Sequence, residues 1–91
     1  MMEILYRIHA IQRMFERSVS AEDMRFVLQR GKAIETYEDA HYPGRLLLGG
    51  RGRRPLHVVV ADNAEEDQAI VVTAYQPDGR YWEPGFQRRR R

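Results

Sequence analysis

A chain of 91 residues, 43% hydrophobic and 31% charged, has room for one modest core and not for two. It lacks the apolar run of about 20 residues that a membrane helix needs, and without cysteine it has neither a disulfide framework nor a thiolate zinc site. Net charge is only +2, yet Lys32 is the single lysine among fifteen basic residues, and guanidinium forks suit phosphate and carboxylate.

The first seven residues have no long apolar centre and no small-residue cleavage site, so no secretory signal is expected and a bacterial cytoplasm is the expected home. His9 to Arg17 predicts a helix with two unlike faces. At about 100° per residue, Ile8, Ile11, Met14 and Phe15 fall between roughly 140° and 260° from His9, which predicts a core-facing stripe. His9, Arg13 and Arg17 recur at i, i+4 on the far side, a row of one imidazole and two guanidiniums that is either a solvated face or a phosphate-reading one. A second helix is expected over 21–30. Ser20 is a good N-cap, Asp23 imitates the capping box with a shorter acid, and Val19 can staple to Met24. Met24, Val27 and Leu28 give the inward stripe, and Gly31 is the expected stop.

From Lys32 the period changes to two, and four strands are predicted over 33–37, 45–48, 56–61 and 68–75. Tyr42-Pro43-Gly44, Gly49 to Gly52, Asp62-Asn63 and Pro77-Asp78-Gly79 are turn chemistry. Connections this short favour an antiparallel meander. The expected fold is therefore α+β, two N-terminal helices followed by a four-stranded, mainly antiparallel sheet. The helices can cover only one sheet face. The other, with His57, Thr73 and Tyr75 as its polar members, is expected as a partly exposed concave surface. Residues 81–86 mix aromatics with breakers and suit packing across a sheet edge, and four consecutive arginines predict a disordered basic tail at 88–91 beyond a compact domain of 1–87.

Arg51, Arg53 and Arg54 share one loop, while acids gather at 38–39 and 62–67. Such segregation fits a nucleic-acid footprint, although a GC-rich genome also enriches arginine. No GxSxG, P-loop, dinucleotide fingerprint or HExxH is present, and three scattered histidines make no ligand set, so no cofactor or metal is expected.

Several motifs occur in order from about Tyr6 to Trp82: His9-Ala10-x-x-Arg13-Met14-x-x-Arg17, the helix closed by Gly31, Ile34-Glu35-x-Tyr37, Leu46-Leu47-Leu48-Gly49, Arg54-Pro55-Leu56-His57-Val58-Val59 and Thr73-x-Tyr75-x-Pro77. Together they resemble a small bacterial family catalogued as domain-of-unknown-function family 4258. Its members are similar to the compact toxin ribonucleases of the RelE and BrnT type, with two helices ahead of an antiparallel sheet, many encoded beside a zinc-ribbon antitoxin. The resemblance implies a type II toxin-antitoxin toxin, a metal-independent endoribonuclease acting on RNA, including ribosome-bound mRNA, with an antitoxin protein as partner. The alternative is a non-catalytic module of the same fold that binds RNA or protein.

Cleaving RNA without a metal needs a base for the 2′-hydroxyl, an acid for the leaving 5′-oxygen and cations against the phosphate. His57, mid-strand on the face left uncovered, is the first candidate, against a half-buried strand histidine. His9 is a partner if the first helix lies along the sheet edge, with Arg13 and Arg17 on the phosphate. Glu35 is a candidate base or an exposed strand residue. Tyr75 stacks a base or fills the core. Arg53 and Arg54, in a glycine-rich loop, are candidate phosphate ligands, and His41 reads as a surface loop residue.

Overall fold

The chain runs β1 (Glu3–Tyr6), α1 (Ile8–Glu16), α2 (Ala21–Arg30), β2 (Lys32–Tyr37), β3 (Gly44–Gly49), β4 (Leu56–Asn63) and β5 (Gln68–Tyr75). The computed structural model describes residues 2–38, 42–50 and 54–91. α2 begins and ends where its capping chemistry requires. The Ser20 hydroxyl accepts from the Asp23 backbone N–H at 3.0 Å, and the Asp23 carboxylate accepts from the Ser20 N–H at 3.1 Å, a reciprocal box worth about 1 kcal/mol.

Strands β2 to β5 form the expected antiparallel meander. The four-stranded expectation is corrected by β1, which precedes the helices and pairs in parallel with β5, Glu3 beside Gln68 and Tyr6 beside Val71. The result is a five-stranded mixed sheet of order β1-β5-β4-β3-β2, still of the α+β class. A strand of four residues offers period two only two repeats, too few to stand out before a helix. Its alternation is real nonetheless, for Ile4 and Tyr6 pack on the core.

Both helices cover the sheet face carrying Leu56, Val58 and Val60, which join Ala10, Val19, Met24, Val27, Leu47, Ala69, Val71 and Ala74 in one core. β5 reaches that face with Val71 and Ala74, a spacing of three, because Val60 pairs with Val71 while Val59 pairs with Thr73. The bulge leaves Val72 as the extra residue. Strict alternation over 70–75 is corrected accordingly.

The predicted inward stripe of α1 is also corrected. Ala10 is its buried residue and Met14 packs at the core's edge, whereas Ile8, Ile11 and Phe15 are 77%, 53% and 87% exposed. One residue, Arg7, separates β1 from α1, and its N–H donates to the Val71 carbonyl at 3.0 Å. The docking of β1 thus sets the roll of the helix, and the small Ala10 lets it sit close to β5. No helix among the described residues is long and apolar enough to cross a membrane.

Candidate active site

Sheet register decides which side chains meet on the face away from the helices. Leu48 pairs with His57 and His57 with Tyr75, while Glu35 pairs with Leu46 and Tyr37 with Gly44. Alternation then places Glu35, Tyr37, His57, Thr73 and Tyr75 on that face together.

The face is covered by the C-terminal segment. Residues 81–90 fold back on themselves: Trp82 and Arg89 form an antiparallel bridge, Glu83 donates to the Arg88 carbonyl and Arg90 to that of Tyr81, each at 2.8 Å. The turn runs through Gly85 at φ +88° and Phe86 at φ +59°, the latter a left-handed conformation uncommon for a bulky residue. Trp82 is buried and stacks edge-on against His57, ring centroids 4.4 Å apart. Residues 81–86 therefore cross the sheet face rather than its edge, and Arg88 to Arg90 continue the same hairpin.

Under this cover His57 is 0% exposed. Its Nε2 lies 2.8 Å from the Phe86 carbonyl oxygen and its Nδ1 lies 3.1 Å from the Tyr75 hydroxyl. A carbonyl can only accept, so Nε2 carries the proton and the neutral ring accepts from Tyr75 at Nδ1. Burial lowers its pKa below the ordinary value, with the Phe86 carbonyl opposing.

Beside it, the Glu35 carboxylate accepts from Tyr37 at 2.6 Å and from both arms of the Arg89 fork at 2.8 and 3.2 Å. The Arg89 hydrogen bonds hold Glu35 below the usual carboxylate range, so it is ionised near neutrality. Burial, then the neighbouring Glu35, push the Tyr37 phenol up to about 12. Burial also raises Tyr75. The Arg89 guanidinium lies 4.7 Å from the Trp82 ring centroid, a stacking contact that joins the charged half of the cluster to the buried half.

Three of the residues singled out in the sequence, His57, Glu35 and Tyr75, thus meet on one face. His9 and Arg13 lie across the sheet on α1, with Arg17 as its C-cap, and Arg13 is engaged by Glu16 at 3.0 Å, so His9 shares no site with His57. Arg54 donates to the Ser18 carbonyl at 3.0 Å, tying its loop to the turn between the helices. Arg51, Arg53 and His41 lie outside the described residues. Tyr37, Trp82 and Arg89 were missed. Tyr37 was legible, two residues beyond Glu35 on the same strand face; Arg89, hidden in an arginine run, gave no signal.

These features define a small α+β domain whose sheet face away from the helices gathers a carboxylate, an imidazole, two phenols and a guanidinium. Residues 6–76 match the model of the family described as Domain of unknown function (DUF4258), and the chain belongs to that family. Trp82 and Arg89 lie beyond the matched span. Neither a curated protein nor a solved structure matches the chain.

Proposed function

We propose that the chain is a toxin-type endoribonuclease, neutralised by an antitoxin protein, that cleaves RNA by metal-independent transesterification on the sheet face away from the helices. The observation that carries this reading is the Glu35 carboxylate, ionised and held by the Arg89 fork and Tyr37 within the electrostatic reach of His57. Glu35 takes the proton of the 2′-hydroxyl, whose oxygen attacks the adjacent phosphorus. Arg89 turns its fork to the developing negative charge. The bond to the 5′-oxygen breaks, leaving a 2′,3′-cyclic phosphate and a 5′-hydroxyl. The proton for that oxygen passes through Tyr75 from a protonated His57, which reaches the substrate only by this relay. His57 is in that sense a positioning residue.

The test is cleavage of end-labelled cellular RNA in excess EDTA, with ribosomes in a parallel tube, beside folded Glu35→Gln and His57→Gln variants. Expected is wild-type cleavage that both variants lose. Intact RNA in every tube would favour the second reading, a non-catalytic module that binds a protein partner. That reading draws on the exposed Ile8, Ile11 and Phe15 of α1, a stripe at i, i+3, i+7 suited to an amphipathic partner.

A further inference from the structure

The hairpin that covers the site has a second side. Its two segments alternate, so the bridge that turns Trp82 and Arg89 toward the sheet turns Tyr81, Glu83, Arg88 and Arg90 away from it. Tyr81 is 63% exposed, the most exposed of the described tyrosines and tryptophan. One guanidinium lies against its ring. The Arg80 guanidinium lies 5.5 Å from the ring centroid and donates twice to one Asp78 carboxylate oxygen, at 3.0 and 2.8 Å, while the other oxygen accepts from the Arg80 backbone N–H at 2.9 Å. On the adjoining segment, Arg90 pairs with Tyr81 through the backbone and fixes its own side chain by donating to the Gly79 carbonyl at 2.7 Å. Between residues 80 and 91 there are five arginines against one glutamate.

A solvent-facing ring beside one positioned guanidinium, with a second guanidinium fixed on the adjoining segment, is poor at stabilising a fold, because exposed ion pairs contribute little. It is well made for a nucleobase and its flanking phosphates. Stacking on an aromatic needs a base free of its duplex neighbours, and arginines beside it take the backbone charge. We propose that the outer face of the hairpin, centred on Tyr81 with Arg88, Arg90 and Arg91, binds single-stranded RNA by stacking one base on Tyr81. The choice of RNA over other polyanions rests on the function proposed above. Here the hairpin serves both sides: Arg89 points in to Glu35, and Arg90, the next residue, points out to the strand being held.

The test separates this inference from the cleavage chemistry. A fluorescently labelled, fully 2′-O-methylated single-stranded RNA lacks the nucleophile and cannot be cut, so anisotropy reads binding alone. Tyr81→Ala should weaken binding about tenfold, and Tyr81→Trp should restore it. Removing Arg88 and Arg90 together should flatten the log–log salt dependence by about 1.4, about 0.7 for each lost phosphate contact on a single strand. All three side chains point to solvent, so the variants should melt as the wild type does. The inference is overturned if Tyr81→Ala binds like wild type, or if a duplex of the same sequence competes as well as the single strand. Loss of RNA cleavage in Glu35→Gln alongside unchanged binding in Tyr81→Ala would sink this inference and spare the nuclease. Binding that depends on Tyr81 without any cleavage would do the reverse.

Discussion

At the scale of single residues, Glu35 carries the sharpest expectation. A positioned general base contributes about 10²–10⁴ in rate, so Glu35→Gln should lower the single-turnover cleavage rate by at least about a hundredfold while the fold is kept. The pH profile adds a second check. The relay needs Glu35 ionised and His57 protonated, and both groups sit below their ordinary values, 4.5 and 6.5. Cleavage should therefore rise as pH falls through the His57 pKa and decline only when Glu35 is protonated, an optimum on the acid side of neutrality. A rate that climbs through neutral pH would remove His57 from the relay. His57, Glu35 and Tyr75 were legible because period two sorts strand residues onto faces. The burial of His57 was not, since its cover comes from residues 82 and 86, whose Pro-Gly turn carries no periodic signal.

At the scale of elements, α2 was readable to its caps because a capping box is local. α1 was readable as a helix but not in its orientation. Its apolar stripe and its buried side differ, and only the docking of β1 on β5 decides between them. Phe15→Ser should accordingly change the unfolding free energy by less than about 0.5 kcal/mol, as exposed substitutions do; as a core residue it would cost about 3–5 kcal/mol. Urea titration of the two proteins distinguishes these outcomes. The hairpin is the opposite case. Trp82→Ala should cost about 3–5 kcal/mol and uncover His57, which the ring now seals. Quenching of the single tryptophan by iodide in the native protein should be weak, since Trp82 is buried.

At the scale of the molecule, the same two groups make the domain acid-sensitive. A folded pKa below the unfolded one means that the unfolded chain binds protons more readily. The stability contributed by His57 is complete above about 6.5 and is lost as pH falls through its lowered folded value; that of Glu35 follows the same direction below 4.5. The melting temperature should fall between about pH 7.5 and about pH 5, and His57→Gln should flatten the fall.

The parallel pairing of β1 with β5 has a consequence in time. Glu3 and Gln68, which share a hydrogen bond, are 65 positions apart, and contacts of such separation are slow to form because the intervening chain must first be ordered. During synthesis β2, β3 and β4 can begin to pair with their neighbours as they leave the ribosome, but β1 must wait, its backbone edge unmatched, until β5 follows. The first strand made is thus among the last to find its place, and α1, whose orientation depends on that strand, waits with it.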